Sequence, residues 1–177
     1  NATIALDTTT NAFTGAVSLN ATGSTGHVTV VGESGLDLGV STVGGNLVAT
    51  ATTGNISDSS NLTVTGTSTF VTGISGSDIV LDSSGNAFSN AVILRADDGN
   101  ETFGNITFVD SGEVRVHSSA DTNGDLYINA ATDAAVGGNL SITSTTGNIT
   151  QSSAVAVGGT SSFTTSANNA DITLNNT

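Results

Sequence analysis

The sequence predicts an all-β protein, a right-handed parallel β-helix (β-solenoid) of about nine coils at ~19 residues per coil, with little or no helix. Three observations support this prediction. The chain repeats itself at two spacings, short runs of alternating apolar residues recur along it, and Gly, Asn, Ser and Asp separate these runs. Alternation with a period of two is typical of strands, and frequent turn residues keep such strands short.

Two gapless internal repeats define the organisation of the chain. Residues 43–84 match residues 136–177 at an offset of 93, with 22 identities in 42 positions. Residues 4–19 match residues 79–94 at an offset of 75. The two offsets differ by 18 residues, which is about one coil, and a solenoid tolerates an added coil because each coil contacts only its neighbours. We therefore expect a single solenoid over residues 1–177, with an extra coil within residues 95–135.

The segments justify this prediction in order. The residues of the first segment that we expect to face inward are Ile4, Leu6, Phe13, Val17 and Leu19. His27 precedes the alternating pair Val28 and Val30, and we expect it to face outward. Residues 43–94 form the reference repeat, residues 95–135 depart most from it, and residues 136–177 return to it. No capping element follows, so we expect an excerpt of a longer array or a unit that stacks end to end, without caps.

Gly-Asn pairs mark the predicted turns between strands. They occupy positions 45–46, 54–55, 104–105, 138–139 and 147–148. Asparagine tolerates left-handed backbone geometry and bonds readily to neighbouring backbone groups. Stacked asparagines can also form ladders of hydrogen bonds between coils. The pairs therefore predict both the position of each turn and a polar link from one coil to the next.

Composition excludes several classes of function. The net charge is −13, because 15 acidic residues face only Arg95 and Arg115. A nucleic-acid partner would need a basic face, and membrane insertion by a helix would need an apolar run of about 18 residues; the sequence has neither. The absence of Cys excludes disulfides and thiolate metal sites. The few sites for trypsin suit a secreted protein, extracellular or at the cell surface.

The repeated phrases Gly-Gly-Asn-Leu, Thr-Thr-Gly-Asn-Ile and Gly-Thr-Ser-Thr-Phe resemble the repeats of large bacterial exoproteins of the filamentous haemagglutinin type. The resemblance covers nearly the whole chain. It implies a right-handed parallel β-helix that is secreted through an outer-membrane partner and acts as an adhesin or a surface filament. It implies no site residues.

One turn contains candidate ligands for calcium. Asp121, Asn123 and Asp125 place oxygen-bearing side chains at alternate positions, as at the start of a calcium loop. An EF-hand would also need Glu at its twelfth position, where this chain has Thr132. Asp, Asn and Gly are also ordinary turn formers. The incomplete motif favours that second interpretation, and we expect no other cofactor.

Residues 95–117 supply the alternative function, a polysaccharide-binding or polysaccharide-cleaving β-helix. The candidate groups are Arg95, Arg115, His117, Asp97, Asp98, Asp110 and Glu113. Arg95 and Arg115 are 20 residues apart, about one coil, which could bring them close together. From Glu113 to His117, however, polar residues alternate with Val, which predicts a solvated outer strand face with cross-strand ion pairs. We therefore expect no enzymatic activity.

The sequence thus predicts a structural and adhesive module that forms a stiff surface stalk or filament. Its expected partners are further copies of the chain, end to end or laterally, and glycans of a host or neighbouring cell surface. Nucleic acid is not an expected partner, because the chain is strongly acidic.

Overall fold

The computed structural model describes residues 2–96, 104–117, 126–128 and 135–175. Every regular element in these segments is a β-strand. No helix among the described residues has the length and hydropathy needed to cross a membrane.

The strands of the first half are short and closely spaced. They are β1 (Ile4–Leu6), β2 (Asn20–Ala21), β3 (Val28–Gly32), β4 (Leu36–Leu38), β5 (Ser41–Val43), β6 (Leu47–Ala51), β7 (Ile56–Asp58), β8 (Leu62–Val64), β9 (Ser68–Thr72), β10 (Ile79–Leu81) and β11 (Ala87–Phe88).

The strands of the second half are likewise two to five residues long. They are β12 (Val92–Ala96), β13 (Ile106–Asp110), β14 (Val114–His117), β15 (Leu126–Ile128), β16 (Ala135–Val136), β17 (Leu140–Ser144), β18 (Ile149–Gln151), β19 (Ala156–Val157), β20 (Ser161–Thr165) and β21 (Ile172–Thr173).

These strands form four parallel sheets. Sheet 1 has the order β1-β3-β6-β9-β12-β15-β14-β18-β21, and sheet 2 has the order β4-β7-β10-β13-β17-β20. Sheet 3 has the order β2-β5-β8-β11, and sheet 4 pairs β16 with β19. The predicted fold class, an all-β parallel β-solenoid, is confirmed.

In the first half, one coil consists of one strand from each of the first three sheets. After β3 in sheet 1 come β4 in sheet 2 and β5 in sheet 3, and β6 then returns to sheet 1 beside β3. Val28 pairs with Leu47, and Leu36 pairs with Ile56. Inward-facing residues of one coil therefore lie on inward-facing residues of the next. The alternating residues of each strand thus form regular columns along the axis.

The number of coils is smaller than the sequence predicted. The described residues form about six turns, whereas we expected about nine at ~19 residues each. Only the step from Val28 to Leu47 has that length; Ile79 and Ile106 are 27 residues apart, and Ile106 and Leu140 are 34 apart. Most steps between paired strands are therefore longer than the ~19 residues expected, so fewer coils fit into the chain.

Strands that are equivalent in the two copies of the long repeat belong to different sheets. Leu47 of β6 and Leu140 of β17 are equivalent in the repeat, yet β6 belongs to sheet 1 and β17 to sheet 2. The change of sheet begins at β13. This five-residue strand pairs with the three-residue strand β10 in sheet 2. The pairing works because the buried positions coincide, with Ile106 on Ile79. Strands of both lengths bury alternate residues, so either kind continues the same stack.

The departure from the repeat within residues 95–135 is only partly described. The strands β13, β14 and β15 fall inside it, and residues 97–103, 118–125 and 129–134 lie outside the described residues. The extra coil expected there stays a prediction.

The core is a column of aliphatic residues with an aromatic cluster in the middle. Inward residues such as Leu47, Ile56 and Leu62 are fully buried. The ring of Phe88 lies edge-on to Phe70, with centroids 6.1 Å apart, and is tilted against Phe108 at 5.4 Å. Such aromatic pairs add about 0.5–1.5 kcal/mol to the energy of burial. Phe70 and Phe88 belong to one coil and Phe108 to the next, so the rings join two successive coils next to the place where the repeat changes sheet.

Candidate functional site

The most regular polar feature is a ladder of side chains immediately before the strands of sheet 2. The Oδ1 atom of Asn55 accepts a hydrogen bond from the backbone N–H of Asp78 at 2.9 Å. Asp78 Oδ1 accepts from the N–H of Asn105 at 2.7 Å, and Asn105 Oδ1 from the N–H of Asn139 at 2.9 Å. Asn139 Oδ1 accepts from the N–H of Thr160 at 2.8 Å. One side chain per coil thus joins five successive coils.

A second ladder precedes the strands of sheet 1. His27 Nδ1 accepts a hydrogen bond from the N–H of Asn46 at 2.9 Å, which makes its Nε2 the protonated nitrogen when the ring is neutral. Asn46 Oδ1 in turn accepts from the N–H of Thr67 at 3.1 Å. His27 is exposed, as predicted. The predicted asparagine ladders are therefore confirmed, and His27 takes an asparagine position.

The glycine before each ladder asparagine is required by close packing of the coils. A Cβ atom on Gly54 would overlap the backbone carbonyl oxygen of Ser34, and one on Gly104 would overlap that of Ser77. Left-handed geometry is not the reason at these positions, because the described residues with positive φ are Gly76 at 76° and Asn169 at 61°. In each Gly-Asn pair, the glycine therefore allows two backbones to approach closely, and the asparagine side chain forms a hydrogen bond to the neighbouring coil.

Two carboxylates lie buried at a corner between sheets 2 and 3. Asp58 is 6% exposed, and its Oδ2 atom accepts a hydrogen bond from Asn86 Nδ2 at 2.6 Å. Its Oδ1 accepts from the N–H of Asp82 at 2.8 Å. Asn86 is fully buried, and its Oδ1 accepts from the N–H of Leu62 at 2.8 Å. The amide of Asn86 thus satisfies two groups of the preceding coil at once.

Asp110 continues this corner into the next coil. It is 5% exposed, and its Oδ1 accepts a hydrogen bond from the N–H of Phe88 at 3.2 Å. The N–H of Ser111 donates to the backbone oxygen of Asn86 at 2.7 Å. Burial raises the pKa of Asp58 and of Asp110 above the ordinary value of 3.8, and the hydrogen bonds that each carboxylate accepts oppose this rise. We name Asp58, Asn86 and Asp110 the buried corner.

Sequence reasoning assigned no role to Asp58 and Asn86 and placed Asp110 only among candidate catalytic groups. A signal was available for Asp58, because it follows Ile56 by two residues and so occupies an inward position of β7. Asn86 carried no comparable signal, since it lies in the turn before β11. Its role depends on which coils meet at that turn.

The predicted calcium ligands Asp121, Asn123 and Asp125 lie outside the described residues, as do Asp97 and Asp98 of the alternative polysaccharide site. Within the described segments, no group of three or more His, Cys, Asp or Glu side chains is arranged to hold a metal ion. The calcium site therefore stays a prediction.

The arginines proposed for a polysaccharide site lie in the same sheet but not side by side. Val92 of β12 and Val116 of β14 both pair with Leu126 of the intervening strand β15. This register places the backbones of Arg95 and Arg115 roughly 16 Å apart, at ~4.8 Å between strands and ~3.3 Å per residue. The expected proximity of the two arginines is therefore wrong.

The strand that carries Arg115 alternates as expected. Val114 and Val116 are buried, whereas Glu113 is exposed and Arg115 is half-buried. The polar residues of this strand thus lie on its outer side, while the side chain of His117 lies outside the described part of the chain.

Comparisons with known proteins identify the repeat. The profile of the family DUF5649, described as repeats of unknown function, matches residues 25–95 and residues 119–177. These two matches contain the two copies of the long repeat. Searches of curated proteins and of solved structures found no significant match. Because the profile covers more than half of the sequence, the chain belongs to the DUF5649 family of repeats.

Proposed function

We propose that this chain is a structural and adhesive module of an extracellular surface stalk or filament. The observation that supports this best is the ladder from Asn55 to Thr160, which joins coil to coil with the same bond across the change of repeat. A structure in which each coil bonds only to its neighbours can grow along its axis without a new kind of contact.

The composition agrees with an extracellular rod. The chain has no Cys, no Lys and two Arg, and its net charge is −13. Few tryptic sites and a strong net charge favour persistence and solubility outside the cell. The resemblance of the repeated phrases to exoproteins of the filamentous haemagglutinin type supports the same role, with glycans of a neighbouring surface and further copies of the chain as partners.

Small-angle X-ray scattering and negative-stain electron microscopy over a concentration series test the rod. We expect elongated particles that lengthen with concentration while their cross-section stays constant, since new coils add ~4.8 Å each along the axis. A cross-section that grows would indicate lateral association instead. Compact particles at every concentration would contradict the proposal.

Location and chemistry are tested separately. Antibody labelling of intact, unpermeabilised source cells should detect the chain at the surface. The proposal assigns it no catalytic role, so cleavage of any glycan in a broad panel, lost in the Arg115→Ala variant, would contradict that part.

A further inference from the structure

A polar groove opens on the outer surface where three successive coils meet. It has a volume of about 460 Å³ and lies between Phe13–Gly15 of the first coil, Ser34–Asp37 of the second, and Gly54, Asn55 and Ser57 of the third. The first coil joins β4 at Val17, whose N–H donates to the oxygen of Asp37 at 2.8 Å. The groove lies just before this junction.

The groove contains a hydrogen-bond acceptor that the protein leaves unused. Asp37 is half-buried, and its Oδ1 atom is shielded from solvent and has no hydrogen-bond partner. A buried acceptor without a donor is unfavourable, so the protein gains if this carboxylate finds a donor. Asp37 belongs neither to the ladders nor to the buried corner, so neither of these features accounts for its position.

The other polar groups that line the groove are neutral and can both donate and accept hydrogen bonds. Thr14, Ser34 and Ser57 supply hydroxyl groups, and Asn55 supplies an amide whose Oδ1 is already held by the N–H of Asp78. Phe13 adds an aromatic ring at one end. No basic residue lines the groove, and the chain carries a net charge of −13, so an anionic ligand is disfavoured.

We propose that this groove binds a neutral pyranose unit of a glycan, with the carboxylate of Asp37 turning to accept a hydrogen bond from a ring hydroxyl. One carboxylate among several neutral donors and acceptors suits a ligand that offers many hydroxyl groups and no charge. The inference rests on the adhesive part of the proposed function and assigns that part to specific residues.

Saturation-transfer difference NMR on the 177-residue chain tests the site. The probes are the methyl glycosides of glucose, galactose and mannose and those of N-acetylglucosamine and N-acetylgalactosamine. Asp37→Asn removes the charge and keeps the shape, and we expect it to weaken binding at least tenfold. Gly15→Leu should abolish binding by filling the groove, because a Cβ atom at Gly15 meets nothing within 4 Å and the backbone need not move.

Matched variants separate a local effect from a general one. Asp82→Asn makes the same change of charge at an exposed position, and Gly112→Leu enlarges a glycine whose nearest neighbour to an added Cβ is Asp110 Oδ2 at 3.6 Å. Both controls should bind like the unchanged chain. Circular dichroism checks that all four variants retain the strand signal.

Binding of at least one glycoside that is lost in Asp37→Asn and Gly15→Leu, and kept in the two controls, supports the site. No transfer to any of the five glycosides overturns it, as does equal binding by all variants. Transfer to arginine amide, with none to the glycosides, overturns it in favour of a cation site. None of these results changes the rod seen by scattering, so the structural part of the proposed function stands or falls separately.

Discussion

At the scale of single residues, contact between successive coils decides which side chain each turn accepts. Gly54 and Gly15 both lie in turns, but their surroundings differ. A Cβ atom at Gly54 would overlap the backbone of Ser34, whereas one at Gly15 would lie in open space. The same residue type is therefore required at one position and replaceable at the other.

We expect Gly54→Ala to lower the free energy of unfolding by about 1–3 kcal/mol, because the added methyl group forces two coils apart. Gly15→Ala should be neutral or raise it by up to about 1 kcal/mol, since it only restricts the unfolded chain. Urea unfolding followed by circular dichroism measures both. Equal effects of the two substitutions would contradict the steric role of Gly54.

Asn139 should contribute to the ladder through its acceptor oxygen. Asn139→Ala removes the acceptor of the Thr160 N–H and should cost about 0.5–1.5 kcal/mol of unfolding free energy. Asn139→Asp keeps the oxygen, as Asp78 does naturally in the same ladder, and should recover most of that loss. Asn20→Ala, at an exposed position at the start of β2, is the control in the same urea experiment. An Asp variant as unstable as the Ala variant would contradict this assignment.

At the scale of elements, the buried corner makes the stability of the junction between sheets 2 and 3 depend on pH. The pKa of Asp58 and of Asp110 is raised above 3.8, mainly because burial disfavours the charged form. The native state therefore binds these protons more tightly than the unfolded chain does. The resulting stabilisation is fully present below pH 3.8 and is lost as the pH rises through the native pKa values.

Replacing Asp110 by Asn should reduce this dependence on pH. The amide oxygen can still accept from the N–H of Phe88, and no charge is buried at neutral pH. We expect Asp110→Asn to be more stable than the unchanged chain at pH 7 and to gain less stability on acidification to about pH 4. Urea midpoints at several pH values, with the exposed Asp82→Asn as the control, measure the difference. An unchanged slope with pH would show that Asp110 is not one of the groups that titrate.

At the scale of the whole molecule, the coils form a nearly one-dimensional array. β7 and β10 have a paired strand on both sides, whereas β1 and β21 are the first and last strands of sheet 1. In such arrays stability depends on the number of neighbours, so opening is expected to begin at the outer coils.

Native-state hydrogen exchange should therefore show graded protection along the axis of the 177-residue chain. We expect the amides of β7 and β10 to exchange roughly 100-fold more slowly than those of β1 and β21, because local opening reaches them last. Exchange read by NMR or mass spectrometry at constant pH measures the gradient. Uniform protection from β1 to β21 would mean that the coils unfold together and would contradict the array description.

Much of the architecture could be predicted from the sequence because its signals are local or periodic. Alternation marks inward residues such as Leu47 and Ile56, and the 93-residue repeat places equivalent strands at equivalent positions. Gly-Asn pairs predict the ladders, because a glycine that allows close approach is followed by a side chain that bonds across it. These properties need no knowledge of which coils are neighbours.

Other features were decided only by the tertiary structure. Strands of both lengths bury alternate residues, so the sequence does not tell which sheet a strand joins, and β17 joins sheet 2 although its equivalent β6 lies in sheet 1. The lengths of the corners set the number of coils, and the sequence pattern is weakest there. The buried corner and the groove beside Asp37 each bring together residues from successive coils, about 20 or more positions apart in the chain. Contacts of this kind depend on the stacking of the coils, which only the folded chain establishes.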